Sequence, residues 1–256
     1  MILLTNDDGI YSQGLRSAYS ALSELDEVVV VAPITQMSGV GRSISIMRPV
    51  RFFEIEIDGM KVFAIDGTPT DAVIIGIYEI LKCIPALTVC GINLGENLST
   101  EAVTTSGTVC AALEAATHGS KAIAISVEMH ESFKFELSCS YDFSIAEKVL
   151  KWIAKKLLNE EMPEGVDALN VNIPKNFNGK IAITRLARKM YKTQVERRLD
   201  PRGREYYWIH GTEVETAEVG TDIYALRNGF VSITPISLNA TSNCEALRGW
   251  VDEWKI

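Results

Sequence analysis

The sequence predicts a doubly wound α/β fold with a mostly parallel sheet, and three observations carry that prediction. The chain opens on an apolar run, Ile2–Leu4, a helix-spaced segment, 14–25, and a second all-apolar run, 28–32, which together form a βαβ signature. The alternation continues through strand-like segments at 87–90, 121–127 and 168–173, with helical patterns between them. Polar loops carrying Gly, Asn, Asp or Ser follow the first three of these strands, at the carboxyl edge where open α/β sheets place their ligands.

Taken in order, Leu15, Ala18, Tyr19 and Leu22 give the first helix its buried stripe, and Pro33 ends the second strand. Residues 44–65 look different: 44–47, 51–57 and 60–65 are strand-like, and Asp58-Gly59 supplies a hairpin turn, so an antiparallel insertion is expected. Thr68 or Thr70 is placed to cap a buried helix over 72–81. Residues 91–100 form a third polar loop, 109–117 a small-residue helix ended by His118, and 143–158 an amphipathic helix. Beyond 173 the pattern loosens. Strands are expected at 180–187, 192–196, 206–215 and 229–235, a short helix at 222–228, and a terminal amphipathic helix at 244–254. His210 falls on a strand, and the basic segment 197–204 reads as a solvated turn. A soft boundary near residue 185 separates a core, 1–185, from a C-terminal extension, 186–256. An arm without its own core commonly buries itself on another subunit, so this region suggests oligomerisation.

Composition excludes several classes. The 256 residues carry a formal charge of −8, which argues against a surface built to grip polymeric nucleic acid or an anionic membrane. No segment approaches the roughly 18 consecutive apolar residues of a membrane helix, and the first ten residues lack a signal peptide's basic flank, so a cytoplasmic protein is expected. Five cysteines, Cys83, Cys90, Cys110, Cys139 and Cys244, form no C-x-x-C pair and read as reduced core filler. His118, His130 and His210 lack zinc-ligand spacing.

The chemistry concentrates in the loops. Asp7 and Asp8 stand side by side after the first strand, and two adjacent acids repel unless a cation lies between them. Ser38, Asn93 and Asn97 occupy loops on the same sheet edge, so hard oxygen donors converge there, as Mg2+ or Mn2+ prefers. Each residue alone also suits a helix cap or an Asx turn. Ser106-Gly107-Thr108 precedes an alanine-rich helix whose first N–H groups and dipole offer an anion site; an ordinary N-cap is the alternative. A metal beside such a helix start spells phosphate-ester chemistry. Other readings fail: Gly39-Val-Gly41 is followed by Ile44 where G-x-G-x-x-G needs glycine, and neither G-x-x-x-x-G-K-[ST] nor G-x-S-x-G occurs. Asn6 stands where an aspartyl-phosphate phosphatase would carry its nucleophile.

Thr5-Asn-Asp-Asp-Gly-Ile10, the Ser38-Gly39 loop, Gly91-Ile-Asn-Leu-Gly-Glu-Asn97, Ser106-Gly-Thr-Val109 and Val231-Ser-Ile-Thr-Pro235 together resemble the stationary-phase survival protein SurE family over nearly the whole chain. The resemblance implies a Rossmann-like catalytic core with C-terminal arms exchanged in homodimers or homotetramers. It also implies a phosphatase dependent on one divalent metal ion, acting on nucleoside 5′- and 3′-monophosphates and sometimes on short polyphosphate. By the same resemblance Asp7, Asp8, Ser38 and Asn93 take the metal-ligand role. Asn97, Ser106, Gly107 and Thr108 take the phosphate side, with Ser38-Gly39 beside the substrate; Asp7, Asp8, Asn97 and Ser106 are the catalytic candidates. Thr105 departs from the family, which usually carries tyrosine there. The competing expectations are a nucleotide-binding regulatory protein without turnover and a phosphatase for non-nucleotide esters.

Overall fold

The structure is a computed structural model and describes residues 1–129, 141–252 and 254; His130 and Cys139 lie outside the described residues. Its elements run β1 (Ile2–Thr5), α1 (Gln13–Ser23), β2 (Val28–Pro33), β3 (Phe52–Ile57), β4 (Met60–Ile65), α2 (Pro69–Ile75) with a π-turn to Leu81, β5 (Leu87–Leu94), α3 (Ser99–Thr105) and α4 (Gly107–Thr117). There follow β6 (Lys121–Val127), α5 (Ser144–Asn159), β7 (Ala168–Ile173), β8 (Ile181–Ile183), β9 (Tyr191–Leu199), β10 (Glu205–Glu213), α6 (Asp222–Arg227) and β11 (Val231–Ile236). A 3-10 turn (Cys244–Leu247) and α7 (Arg248–Asp252) end the chain.

One sheet has the order β3-β4-β2-β1-β5-β6-β7-β11-β8, and β9 and β10 form a separate ribbon. From β4 to β7 the pairings are all parallel, while β3 and β11 run antiparallel to β4 and β7. The strands are apolar on both sides because both faces are covered. Ile2, Leu4, Val30 and Ala32 pack with α1 and α5, whereas Leu3 and Val31, one residue out of phase, pack with α2 and α4.

The hairpin at Asp58-Gly59 forms, with φ of 51° and 78°. It does not stand apart as an insertion: β4 enters the parallel sheet beside β2 and only β3 lies at the edge. The side chains explain the division. Met60, Val62, Ala64 and Ile65 are buried, while β3 presents Glu54 and Glu56 to solvent, a common way of blunting an edge. Residues 44–47 are not a strand; Ile46 and Met47 are 82% and 93% exposed, and Ser45 N donates instead to Asp71 Oδ1. Thr68, not Thr70, caps α2, in a capping box with Asp71. The strand expected over 180–187 shortens to β8, and the terminal helix divides into the 3-10 turn and α7. Cys90 and Cys110 are buried, but Cys83 and Cys244 are exposed, which corrects their reading as core filler. β11 lies in the main sheet between β7 and β8, so the C-terminal segment completes the layer that the first 185 residues begin. Among the described residues no helix is long and apolar enough to cross a membrane.

Candidate functional site

The site grows from the carboxyl ends of β1, β2 and β5. Past β1, Asn6 folds its side chain onto Gly9, accepting from Gly9 N (3.2 Å) and donating to Gly9 O (3.0 Å). That turn sets Asp7 facing inward at 5% exposure. Met37 N donates to Asp7 O (2.7 Å), which fixes the Ser38 loop against it. The same loop is tied at its other end by Gly41 N donating to Thr105 O (2.9 Å).

Burial pushes the Asp7 carboxyl above the usual carboxylate range, opposed by the Thr108 hydroxyl and by backbone N–H groups of Gly107 and Thr108. The Thr108 hydroxyl donates to Asp7 Oδ1. The start of α4 therefore lies against the Asp7 carboxyl. Gly107 is required by the approach: a Cβ there would stand 2.8 Å from Asp7 Cβ. Ser106 is the N-cap of α4, its Oγ accepting from Val109 N at 3.2 Å.

β5 runs on to Leu94, past a bulge between Cys90 and Asn93, so Asn93 sits on a strand end and not in the loop expected from residue 91. Asn93 Nδ2 donates to Gly95 O (2.6 Å), and Leu94 N donates to Asp8 Oδ2 (3.0 Å), which places Asp8 beside Asn93. Asn97 is held from beneath. Its N–H donates to Asn172 Oδ1 (2.8 Å), its carbonyl accepts from Asn170 Nδ2 (2.8 Å) and Asn172 Nδ2 (3.2 Å), and its Nδ2 donates to Ser126 Oγ (2.9 Å). Sequence reading missed this scaffold. The signal was present in Leu169-Asn-Val-Asn-Ile173, where amides two apart on an apolar strand share one face.

Asp7, Ser38, Gly39, Asn93, Asn97 and Ser106 line one cavity of about 160 Å3, together with Gln36, Glu96 and Thr105. Asp8, Gly107 and Thr108 are not part of that lining. Thr105 replaces an expected aromatic wall with a hydroxyl turned back to Glu101 O and Ala102 O (3.2 and 3.3 Å). Among the described residues no three His, Cys, Asp or Glu gather as a metal cluster. A cation here would instead rest on two carboxylates with amide and hydroxyl oxygens, the donor set suited to Mg2+ or Mn2+. The buried Asp7 carboxylate fits that role, since an anion removed from water needs a nearby positive charge.

Comparison with known proteins identifies the family. The family described as Survival protein SurE matches residues 2–193. The chain is 65% identical to the "5'-nucleotidase SurE" of Archaeoglobus fulgidus over 259 residues, covering 100% of this chain and 99% of that protein. It is 52% identical to the protein of the same name from Methanococcoides burtonii, covering 94% of each. The crystal structure of the SurE protein from Aquifex aeolicus superposes with a TM-score of 0.80 at 38% identity over 98% of both chains. On sequence and on fold alike, the chain belongs to the SurE family.

Proposed function

We propose that the protein is a divalent-metal-dependent phosphatase that hydrolyses nucleoside 5′-monophosphates, with 3′-monophosphates and short polyphosphate as further substrates. The observation that carries the reading is the cavity of about 160 Å3, where Asp7, Ser38, Asn93, Asn97 and Ser106 meet from the ends of β1, β2 and β5 and the start of α4. The names of the Archaeoglobus and Methanococcoides relatives support the substrate. Asp7, Asp8, Ser38 and Asn93 would hold the Mg2+ or Mn2+ ion. When bound, such an ion supplies Lewis acidity toward a phosphoryl oxygen and a more acidic water.

The chain's own groups do the rest. Asn97 and Ser106 line the cavity and orient the phosphate, stabilising charge on its equatorial oxygens. The N–H groups of Gly107 and Thr108, with the Thr108 hydroxyl, hold Asp7 in place and keep its carboxylate acceptor-ready. The Asn170–Asn172–Ser126 scaffold keeps Asn97 from swinging away, since positioning supplies much of the rate in phosphoryl transfer.

Release of inorganic phosphate from AMP or GMP in Mg2+ or Mn2+, lost on adding EDTA, is the expected result. Stoichiometric nucleotide binding without release would establish a regulatory binding protein in its place. The chain is also proposed to work in the cytoplasm as a homodimer or homotetramer. The β9–β10 ribbon supports that assembly, with Trp208 56% and Ile209 77% exposed on it.

A further inference from the structure

Of the four residues proposed to hold the cation, Asp7 is buried, Asp8 and Asn93 are half-buried, and Ser38 alone is exposed. The turn around Ser38 is open: Gly39 has φ of 72° and nothing within 4 Å of the place where a side chain would start. Backbone bonds flank that turn at Met37 and Gly41, and Arg42, the next residue, reaches into the body of the protein. Arg42 Nε donates to Glu114 Oε2 (2.7 Å) and its Nη2 donates to Thr117 Oγ1 (2.6 Å), both on α4. The Glu114 side chain is only 6% exposed, and its other oxygen, Oε1, accepts from His118 Nε2 (2.9 Å). His118 Nδ1 in turn meets the Tyr78 hydroxyl at 3.0 Å, with the two rings edge to face.

We infer that Arg42 and Glu114 are positioning residues for Ser38, seating the 34–43 loop on the helix whose first turn lies against Asp7; the inference rests on the metal-dependent reading above. α4 meets Asp7 through Gly107 and Thr108 at its start and carries Glu114 and Thr117 in its last turns. One rigid helix thus sets two oxygen donors that come from the ends of different strands. The chemistry of the pair favours this work over that of a surface staple. A carboxylate nearly removed from water demands a partner charge in a fixed place, so a displaced loop leaves Glu114 with His118 alone. A pair exposed on both sides would carry no such demand. The guanidinium is a planar fork, and its two nitrogens find acceptors three residues apart on one helix face, which fixes the direction of the loop as well as its distance.

The test compares the unaltered full-length chain with Arg42→Ala, Glu114→Gln, the double variant and Arg42→Lys. Without added metal, hydrogen–deuterium exchange read by mass spectrometry is expected to rise over residues 34–43 in both single variants, while β1, β2 and the first turn of α4 keep their protection. Mn2+ binding, followed by the electron paramagnetic resonance of the free ion, should weaken about 10-fold; a full 1 Å shift would cost roughly 100-fold, but Met37 and Gly41 still hold the backbone. The Mn2+ concentration for half-maximal phosphate release from AMP should rise by the same factor, with kcat at saturating Mn2+ changed less. The double variant should be no worse than the worse single one, because both remove one contact, and Arg42→Lys, which keeps the charge without the fork, should fall between. Exchange over 34–43 and Mn2+ affinity both unaltered, or losses that add in the double variant, overturn the inference. So does exchange raised throughout the molecule with Mn2+ affinity intact, the mark of a structural staple. If Glu114→Gln fails to fold, Arg42→Ala against Arg42→Lys carries the test, since Arg42 lies on an exposed stretch. If the unaltered chain binds no Mn2+ and releases no phosphate, the metal-dependent reading fails by itself, and exchange raised only over 34–43 still supports the seating of the loop.

Discussion

Asp7 concentrates the chemistry of a single residue: a carboxylate taken out of water, held by a hydroxyl, and approached by a glycine that has no room for a side chain. Asp7→Asn keeps the shape and removes the charge. Phosphate release from AMP is expected to vanish even in saturating Mn2+, while the thermal unfolding midpoint stays close to that of the unaltered chain; near-normal turnover would reject the scheme. Gly107→Ala drives a methyl group against Asp7, and a displacement of about 1 Å at a reacting group costs on the order of 100-fold in rate. The check is kcat on AMP, with circular dichroism to show that α4 persists. The acidic pair and the Ser-Gly-Thr run were legible because their residue types are unusual after a strand and before a helix. The bond from Thr108 to Asp7 was not, since it spans 101 residues and depends on a turn closed by Asn6 and Gly9.

Among the elements, α3 and the end of β5 were the least legible. Gly91–Thr100 reads as loop because glycine and asparagine dominate it, yet β5 continues to Leu94 by bulging, and α3 starts at Ser99 with φ of 71°. Tertiary hydrogen bonds impose that local shape: Asp222 accepts from Ser99 N (2.6 Å) and Ala187 N (2.8 Å), joining the start of α6 to the start of α3. Burial raises the Asp222 carboxyl above its ordinary range, with the backbone N–H bonds opposing. The folded chain therefore holds this proton at pH values where the unfolded chain has released it. Its contribution to stability is present below the unfolded value and declines as pH rises through the folded one. The stability difference between the unaltered chain and Asp222→Asn, read by urea unfolding, should thus widen in favour of the unaltered chain as pH falls from 7 toward 4. Asn172→Ala leaves the buried Asn97 N–H without its acceptor, a loss of about 1–3 kcal/mol in the same experiment. A smaller effect would mean that the scaffold under Asn97 relaxes.

For the whole molecule, most of the sheet follows from apolar runs that alternate with helical stripes, because a strand covered on both faces has no polar side to disguise it. β4 shows where that reasoning stops: a hairpin turn announces an antiparallel pair but not which partner the second strand takes on its far side. The β9–β10 ribbon is legible as strands and illegible as packing, since nearly all of its residues are exposed in the single chain. Trp208→Glu with Ile209→Glu is expected to shift sedimentation velocity from dimer or tetramer toward monomer; an unaltered profile would show that the ribbon holds no interface. The asparagine scaffold has a consequence for acid and alkali alike. Ser126, Asn170 and Asn172 have no protons to lose or gain in the accessible range, so the seat of Asn97 stays the same chemically from one buffer to the next. Any bell or slope in a pH–rate profile then belongs to the acids of the site, to a metal-bound water and to the substrate, not to the scaffold beneath Asn97.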